Sequence, residues 1–323
     1  MILIISDEND VSTSEVIRWL DFYNAPWIRL NEDDIIIVHW VTIDEFEFTI
    51  KGSSKKLSSK EITSFWYRRG YYNISFDVNF SLAKEQTNQK EIIGFLEREL
   101  KTLKKYIIDI IESKHGLGSF YENHRINKLT NLSCAKSVGL NTPLTGIFTR
   151  KNDLIESLKK HDLITKPLTD GFIQSEDFRY YGYTSEIKND DLNDIDDCFF
   201  PSVFQEKLIK KFEIRTFYLD GEMFSVAIFS QDDPKTAVDF RNYNRTKPNR
   251  TPTVNLNDNL MEQIRELMNK LGYKSGSLDF VVTNDDRVVF LEVNPIGQFE
   301  QVSVPGNYYI EKKIAKYLIN DSF

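Results

Sequence analysis

The sequence predicts an α/β fold at the N-terminus and an α+β fold in the rest of the chain, and three observations lead to this prediction. A short apolar run at residues 2–5 is followed by helical spacing of apolar residues at 16–20. A longer helical pattern covers residues 82–114. From Phe199 onward, most apolar segments have the length of strands. An open sheet with helices therefore precedes a mainly β region.

The chain begins with a strand and a helix. Residues 2–5 are expected to form a buried strand, because Asp7 follows too soon for a signal peptide or a membrane span. Ser12 and Glu15 have the spacing of a capping box, in which the two residues cap each other's backbone N–H groups. We therefore expect the first helix to begin at Ser12.

Three further strands are expected in the N-terminal region, at residues 35–40, 46–51 and 64–69. The last of them ends in Arg68 and Arg69. Two interpretations of these arginines stay open. They are either a strand end in contact with solvent, which is the ordinary place for arginine, or a pair that holds an anion.

A break in the chain follows the long helix predicted at residues 82–114. His115–Ser119 contains two glycines and ends the apolar periodicity, so we place the first domain boundary there. The predicted domains are an N-terminal α/β domain at 1–115, a central subdomain at 116–198 and a C-terminal subdomain at 199–323.

The two subdomains after this boundary combine helices with strands. A helix that follows Lys128 ends at Gly139, and Pro167 stops a strand. Strands are expected at residues 144–149, 163–167, 203–208, 214–219, 223–229, 277–283 and 288–293, and helices at 153–160, 260–271 and 308–319. The last helix is expected to cover the sheet of the C-terminal subdomain.

Composition excludes several classes of protein. The chain has 323 residues, 41% hydrophobic and 28% charged, which suits two or three compact domains and not a disordered chain. The formal charge of -8 does not support binding to nucleic acid or to an anionic membrane. Cys134 and Cys198 lack the spacing of a disulfide scaffold or a zinc site, which favours a reducing cytosol. We expect a cytoplasmic protein with no membrane and no nucleic acid as partner.

The segment Leu291–Gly297 gives the clearest indication of chemistry. Glu292 and Asn294 stand at i and i+2 of a strand, so their side chains share one face. Asp279 lies between apolar neighbours on the preceding strand, and residues 284–286 supply the hairpin turn between the two strands. The three side chains are therefore expected to face one another as oxygen ligands that suit Mg²⁺. Taken alone, a solvated strand face explains the same pattern.

Charged residues precede this triad in a definite order: two lysines, an acidic hinge, and a strand with an acid and an arginine at i and i+2. They are Lys128, Lys166, Glu206 with Lys207, and Glu213 with Arg215. A lysine on a strand is ordinarily a solvated edge charge. The whole order, however, is hard to explain as coincidence.

Together these residues resemble the ATP-grasp superfamily over residues 125–297. The resemblance implies an ATP-grasp fold with an N-terminal pre-ATP-grasp domain, ATP between two α+β subdomains, and Mg²⁺ on the phosphates. It also implies a role for each residue. The α- and β-phosphates would contact Lys128 and Lys166, the adenine hinge would contain Glu206 and Lys207, the ribose would bind Glu213, Mg²⁺ would bind Asp279, Glu292 and Asn294, and the γ-phosphate and acyl group would face Arg215 and Arg241.

Three motifs narrow the resemblance to the graspetide, or microviridin-type, peptide ligases, and among them to the grasp-with-spasm peptide maturases. They are Trp66–Arg69, Val238–Tyr243 and Leu291–Phe299. This resemblance implies that Asp or Glu side chains of a ribosomal precursor peptide are activated as acyl phosphates. A Ser/Thr hydroxyl or a Lys amine would then close an ester or an amide. The loop 169–175 departs from many ATP-grasp enzymes, because it contains one glycine where they have several.

Two alternatives to a macrocyclase stay open. One is an ATP-grasp ligase of amino acids or small molecules, similar to glutathione synthetase or to the ribosomal-protein glutamyl ligases. The other is an inactive module that binds a nucleotide or a peptide. The segment 240–253 is basic, and its cations are Arg241, Arg245, Lys247 and Arg250. A basic segment favours an acidic peptide as the substrate. A solvated loop explains the same composition. The expected partners are a precursor peptide with a leader and an acidic core, and a second copy of the chain in a homodimer.

Overall fold

The computed structural model describes residues 1–76, 89–121, 126–169, 172–174, 179–182, 184–230 and 249–320. The chain forms two compact units: unit 1 comprises Met1–His124 with Tyr309–Phe323, and unit 2 comprises Arg125–Tyr308. Among the described helices, none is both long enough and apolar enough to cross a membrane. The predicted boundary at residue 198 stays a prediction.

The predicted elements occur in the predicted order, together with short strands and one helix that were not predicted. The strands are β1 (Ile2–Ile5), β2 (Trp27–Leu30), β3 (Ile36–Val41), β4 (Phe46–Ile50), β5 (Leu57–Ser58), β6 (Ser64–Tyr67), β7 (Ile74–Phe76), β8 (His115–Leu117), β9 (Thr145–Arg150), β10 (Leu163–Thr165), β11 (Phe172–Gln174), β12 (Arg179–Tyr181), β13 (Ser185–Glu186), β14 (Cys198–Glu206), β15 (Lys210–Leu219), β16 (Glu222–Ile228), β17 (Ser275–Thr283) and β18 (Val288–Asn294). The helices are α1 (Val11–Phe22), α2 (Gln89–Glu112), α3 (Lys128–Ser137), α4 (Lys151–Leu158), α5 (Asp258–Leu271), α6 (Glu300–Gly306) and α7 (Ile310–Leu318).

Unit 1 is built on two four-stranded sheets. The first is parallel, in the order β2-β1-β6-β8, and the second has the order β5-β4-β3-β7. Strand β1 lies inside the first sheet, and all four of its residues are buried. A strand that is buried on both faces requires a continuous apolar run, which explains the opening of the sequence. The strands predicted at 35–40, 46–51 and 64–69 are confirmed as β3, β4 and β6.

The first helix begins earlier than the predicted capping box. Asp10 is the N-cap of α1, and its Oδ1 accepts a hydrogen bond from the backbone N–H of Thr13 at 2.8 Å. Ser12 lies inside the first turn and donates to the same oxygen at 2.6 Å. The prediction that Ser12 caps the helix was wrong, because an aspartate two residues upstream takes this position. Its charge also interacts favourably with the positive N-terminal end of the helix.

The long helix and the last helix of unit 1 were both predicted, but the partner of the last one was not. Helix α2 is the predicted long helix, of which residues 82–88 lie outside the described part. Helix α7 packs against α1, β6 and β8 of unit 1. The ring of His115 stacks on Tyr317 with centroids 4.4 Å apart, and its Nε2–H donates to the Tyr317 carbonyl at 2.7 Å. The expectation that this helix covers the C-terminal sheet was wrong, because an amphipathic pattern shows which face is buried and not against which sheet.

The first sheet of unit 2 is antiparallel and has the order β13-β10-β14-β9. Helix α4 covers one of its faces. A small core forms there from Leu154 of the helix and from Leu163 and Phe204 of the sheet. The other face carries polar residues that belong to the candidate site.

The second sheet of unit 2 is also antiparallel, in the order β16-β15-β17-β18, so β18 is an edge strand. Helices α3 and α5 pack on one face, where Ile264, Leu278 and Phe280 are fully buried. The predicted hairpin turn joins β17 to β18, and the N–H of Thr283 donates to the carbonyl of Arg287 at 3.0 Å. This sheet holds most of the predicted site residues.

Candidate active site

Three charged side chains form a row across the second sheet of unit 2. Arg215 on β15 is opposite Asp279 on β17, and Asp279 is opposite Glu292 on β18. Opposite residues project from the same face of a sheet. The neighbours Leu278 and Phe280 are buried on the other face. Arg215 Nη1 lies 3.4 Å from Asp279 Oδ1, and only 11% and 19% of these side chains are exposed. The row is therefore a partly buried arrangement of charges.

A β-bulge in β18 determines the direction of Glu292. Asp279 is opposite Glu292 while Phe280 is opposite Phe290, so Leu291 has no opposite residue. In a regular strand Glu292 would share the face of Phe290, which belongs to the core. The extra residue moves Glu292 to the face of Asp279. Bulges that re-aim a side chain in this way are frequent beside active sites.

Lys128 approaches this row from the first turn of α3. Asn127 caps the helix with its side-chain oxygen. Lys128 Nζ lies 3.9 Å from Glu292 Oε2 and donates to the carbonyls of Pro167 and Thr169 at 3.3 and 3.1 Å. Lys128 therefore joins the acidic end of the row to the segment that follows β10.

Asn294, the third predicted Mg²⁺ ligand, ends β18 and begins a tight turn. Its Oδ1 accepts from the N–H of Ile296 at 3.0 Å, and its carbonyl accepts from the N–H of Gly297 at 2.9 Å. A Cβ atom at Gly297 would lie 2.3 Å from Ser277 Oγ, so only glycine fits without a shift. Ser277 is 1% exposed and donates to the Gln298 carbonyl at 3.0 Å. The turn is thus held against β17, and Asn294 Oδ1 retains a lone pair for a cation.

Two asparagines that sequence analysis did not single out contact the outer edge of β18. Asn131 on α3 is 2% exposed, and its Nδ2 lies 3.5 Å from the carbonyl oxygen of Val293. Asn141 Nδ2 donates to the Val288 carbonyl at 3.1 Å. The spacing from Lys128 could have identified Asn131. Residues i and i+3 share a helix face, so a polar residue three positions after Lys128 is expected to face the same site.

Glu213, the predicted ribose contact, is buried on β15 beside a lysine. Lys210 Nζ donates to Glu213 Oε1 at 2.5 Å, and 11% and 7% of the two side chains are exposed. A carboxylate buried to this degree requires a cation, because desolvation of an uncompensated charge is costly. Glu213 lies at i−2 from Arg215, so both side chains project from one face of β15.

The first sheet of unit 2 carries a second polar row. Glu186, Ile164, Gln205 and Thr145 lie opposite one another on β13, β10, β14 and β9. Gln205 is 2% exposed, and its Nε2 donates to Thr145 Oγ1 at 2.9 Å. Lys207, two residues after Gln205, donates to Glu186 Oε1 at 2.6 Å. Sequence analysis identified Lys207 but not its partner Glu186.

Lys166 and Glu206, the other predicted site residues of this sheet, belong to opposite faces of it. Lys166 directly follows β10 and is half-buried. Continued alternation along the strand puts it on the face of Ile164 and of the polar row. Glu206 is opposite Leu163, which belongs to the core under α4, so its side chain belongs to the other face. The structure therefore assigns Lys166 and Lys207 to one face and Glu206 to the opposite one.

Most of the basic segment 240–253, including Arg241, lies outside the described residues. Its described end contains Arg250, whose guanidinium carbon lies 5.4 Å from the centre of the Phe229 ring. Phe229 in turn contacts Phe212, with ring centroids 5.2 Å apart. Arg250 is thus an exposed cation stacked on an aromatic ring.

In unit 1, the two arginines that follow β6 hold an anion that belongs to the protein itself. Arg68 is 3% exposed, and its Nε lies 3.6 Å from Asp10 Oδ2, while Arg69 Nε lies 2.8 Å from the same oxygen. Burial alone would raise the pKa of Asp10, but Arg68, the hydrogen bonds from Ser12 and Thr13, and Arg69 together lower this pKa below its ordinary value. Arg68 is therefore not a solvated strand end, and the interpretation that the pair holds a bound anion stays a prediction.

The oxygen donors in unit 2 fit Mg²⁺. Asp279, Glu292 and Asn294 provide two carboxylates and an amide oxygen on adjacent strands, and Mg²⁺ prefers hard oxygen donors. In the described part of the chain, no three His, Cys, Asp or Glu side chains gather as a metal cluster. A donor set this small suits a Mg²⁺ ion that keeps several positions for water and phosphate. Arg215 and Lys128 balance the carboxylates in this structure.

Comparison with known proteins identifies the fold. No family model matches the chain, and no curated protein is similar in sequence. A RiPP-associated ATP-grasp ligase from Chryseobacterium gregarium, solved with ADP and a leader and core peptide, has a TM-score of 0.81 and 24% identity, with 100% of this chain and 97% of that chain covered. The macrocyclase MdnC from Microcystis aeruginosa MRC, bound with precursor peptide MdnA, has a TM-score of 0.75 and 24% identity, with 99% of both chains covered. The ATP-grasp ligase PsnB, complexed with minimal precursor, Mg and ADP, has a TM-score of 0.70 and 16% identity, with 99% and 96% covered. The chain therefore has the ATP-grasp fold, and the predicted fold class is confirmed.

Proposed function

We propose that this protein is an ATP-dependent ligase that closes rings in a ribosomally made precursor peptide. The observation that carries the proposal is the row of Arg215, Asp279 and Glu292, with Lys128 beside it, in a chain that has the ATP-grasp fold. Proteins of this fold that match the whole chain include ligases solved with leader, core or precursor peptides, and these support a peptide as the substrate.

The proposed reaction joins a side-chain carboxylate of the peptide to a hydroxyl or an amine. A carboxylate is a poor electrophile because its leaving group would be oxide. Transfer of the γ-phosphoryl group of ATP to the carboxylate gives an acyl phosphate and ADP. Attack by a Ser/Thr hydroxyl or a Lys amine then forms the ester or amide and releases phosphate and a proton. Each ring consumes one ATP and lowers the peptide mass by one water.

Residues of unit 2 supply the charges that phosphoryl transfer requires. Asp279, Glu292 and Asn294 would hold Mg²⁺, which supplies positive charge at the phosphates when it is bound. Arg215 is proposed to stabilise charge on the transferring phosphoryl group, because its side chain lies beside Asp279, a proposed Mg²⁺ ligand, in the same row. Arg241 is proposed to hold the peptide carboxylate with its planar guanidinium.

The remaining residues are proposed to bind the nucleotide. Lys128 and Lys166 would contact the α- and β-phosphates, and Glu213 would accept hydrogen bonds from the ribose hydroxyls. Glu206 and Lys207 would form the adenine hinge. Because the side chain of Glu206 belongs to the core face of the sheet and its N–H donates to the Leu144 carbonyl at 2.9 Å, its contribution would come from its backbone carbonyl.

Mass spectrometry of a precursor peptide, incubated with enzyme, ATP and Mg²⁺, tests the reaction. We expect a loss of one water per ring with the wild type and none with Glu292→Gln. Asp285→Asn is the matched control, because Asp285 is an exposed acid in the neighbouring hairpin that pairs with Arg287. A mass increase on addition of a free amino acid would instead favour the small-molecule ligase, and nucleotide binding without any product would favour the inactive module.

Nucleotide binding tests the assignment of Lys166 separately. Lys166→Met should weaken ATP binding while the fold stays intact, because a lysine that contacts phosphate is not required for packing. Lys160→Met, which changes an exposed lysine of the same sheet region, should bind ATP as the wild type does. Equal affinity in both variants would make Lys166 an ordinary charge at the end of a strand.

We further propose that the enzyme is a cytosolic homodimer. Two apolar side chains that share a face of α2, seven residues apart, are exposed, Ile93 at 42% and Leu100 at 42%, and apolar surface on one helix face is typical of contact with another protein. Cys134 and Cys198 are free cysteines, which suits a reducing compartment. Sedimentation of the wild type and of the double variant Ile93→Ser, Leu100→Ser should give a dimer and a monomer. An identical monomeric mass for both would contradict the proposed dimer.

A further inference from the structure

The outer side of β18 takes its hydrogen bonds from residues outside the sheet. This strand carries Glu292 and pairs with β17 on one side only, so the backbone groups on its other side need different partners. Asn141, in the segment after α3, supplies two of them. Its carbonyl accepts from the N–H of Phe290 at 2.8 Å, and its Nδ2 donates to the carbonyl of Val288 at 3.1 Å. These contacts hold the first half of β18.

Asn131 serves the other half, which carries the proposed Mg²⁺ ligands. Its side chain is on the same face of α3 as Lys128, three residues earlier. The amide Nδ2 lies 3.5 Å from the carbonyl oxygen of Val293, the residue between Glu292 and Asn294. Helix α3 thus contacts the end of β18 at two points, through Asn131 at the backbone and through Lys128 at the Glu292 carboxylate.

We propose that Asn131 is a positioning residue. Through the Val293 carbonyl it holds the end of β18 against α3, and it thereby sets the position of the Glu292 carboxylate relative to the Lys128 ammonium. The inference rests on the proposed function, because it concerns the site for Mg²⁺ and nucleotide. Asn131 is not proposed to bind Mg²⁺ or the nucleotide. It acts on the proposed Mg²⁺ ligands through the backbone of β18.

The local structure explains why this half of β18 needs support. The bulge at Leu291 interrupts regular pairing with β17 directly before Glu292, and pairing ends altogether at Asn294. A binding site must hold its ligands to within about 0.5 Å of their productive positions. Only Glu292, Val293 and Asn294 pair with β17 beyond the bulge, so a contact on the outer side adds to a short stretch of pairing in fixing this half of the strand.

The chemistry of the position favours this role over simple packing. Asn131 is 2% exposed, and its neighbours Leu132 and Ala135 belong to the hydrophobic core. Asparagine is a weak helix former, and burial of an amide is costly unless the amide is hydrogen-bonded. A leucine has the same branching and the same number of side-chain heavy atoms, and it carries no buried amide to desolvate. The property that asparagine adds here is the donor toward Val293.

Asn131→Leu tests the proposal, because it keeps the branched shape and the number of side-chain heavy atoms and removes the donor. ATP affinity is measured by calorimetry with and without Mg²⁺, in the absence of peptide. We expect affinity in Mg²⁺ to fall about tenfold or more, the usual effect of losing a residue that orients a metal ligand. Affinity without Mg²⁺ should change little. In a Glu292→Gln background, Asn131→Leu should have no further effect on the Mg²⁺-dependent affinity, since both changes act on one ligand.

Asn257→Ala provides the matched structural control. Asn257 caps α5 in the same unit by accepting from the N–H of Leu260 at 2.9 Å, so its loss should lower stability and leave both affinities unchanged. Asn131→Ser is a second variant, whose hydroxyl is too short to reach Val293, and it should behave as Asn131→Leu does. Wild-type Mg²⁺-dependent affinity in both Asn131 variants, or additive effects with Glu292→Gln, would overturn the inference. Absence of Mg²⁺-dependent ATP binding in the wild type would instead count against the proposed function.

Discussion

Replacing Asp10 by asparagine should destabilise unit 1 strongly, because it removes the carboxylate that balances a buried guanidinium. The side chains of Asp10 and Arg68 are 2% and 3% exposed. Removing one partner of such a buried pair costs about 3–5 kcal/mol. Asparagine still caps α1, so the cap contribution of about 1 kcal/mol is retained. Arg69 is 35% exposed, so its charge stays in contact with water and adds little. We therefore expect the loss to come mainly from Arg68.

The fluorescence of tryptophan provides an assay that is specific for this unit. All four tryptophans, at positions 19, 27, 40 and 66, belong to unit 1. Urea titration followed by tryptophan fluorescence therefore reports the free energy of unfolding of unit 1. The control is Glu15→Gln, which breaks the surface pair with Arg18, where 40% and 74% of the side chains are exposed. This change should cost less than about 1 kcal/mol.

The pH dependence gives a second check on the same pair. Because the folded pKa of Asp10 is lowered from its ordinary value near 3.8, its contribution to stability is present above that value and is lost as the pH falls through the folded pKa. The difference between the wild type and Asp10→Asn should therefore shrink in acid. An Asp10→Asn variant within about 1 kcal/mol of the wild type at neutral pH would refute the reasoning, since that is the range of a surface pair.

Three other substitutions have distinct expected outcomes. Arg215→Lys should lower ring formation at least about tenfold, roughly 1.4 kcal/mol in the barrier, with near-normal ATP affinity, because lysine cannot copy a bidentate contact. Parallel turnover and ATP titrations measure both, and wild-type turnover would leave Arg215 as an ion-pair partner of Asp279 only. Gly297→Ala should weaken Mg²⁺-dependent ATP binding, because its Cβ would lie 2.3 Å from Ser277 Oγ; calorimetry that shows unchanged affinity would mean that the turn adapts. Glu112→Gln should make the urea midpoint less dependent on pH: burial raises the pKa of Glu112 above its ordinary value of 4.5, so its stabilising contribution is lost as the pH rises through the folded pKa. Parallel pH profiles of the two proteins would contradict this expectation.

Local periodicity was sufficient to predict most elements of the fold. A run of four buried residues in β1, the alternation in β3 and β4, and the helical spacing of α2 are properties of neighbouring residues. Element ends were less predictable, as α1 shows. Ser12 and Glu15 satisfied the capping pattern, but Asp10 takes the cap because Arg68 and Arg69, distant in the sequence, converge on its carboxylate. The cap is thus chosen partly by a tertiary contact.

The sequence by itself determined which residue types are available for the site and their order along the chain. Glu292 and Asn294 at i and i+2, and the hairpin turn at 284–286, were sufficient to predict a shared face with Asp279. Sequence did not indicate how that face is reached. Regular alternation would put Glu292 with the buried Phe290, and the bulge at Leu291 reverses its direction.

Only the tertiary structure decided this direction and the contacts around it. A bulge depends on how two strands pair, the Lys128 contact depends on where α3 docks, and the Asn131 contact depends on which edge of the sheet is covered. These are relations between segments far apart in the sequence, and their energies come from packing and hydrogen bonds formed on folding. Residue spacing within one segment carries no record of them. The sequence thus determined the chemistry that is present, and tertiary packing decided which of those groups meet.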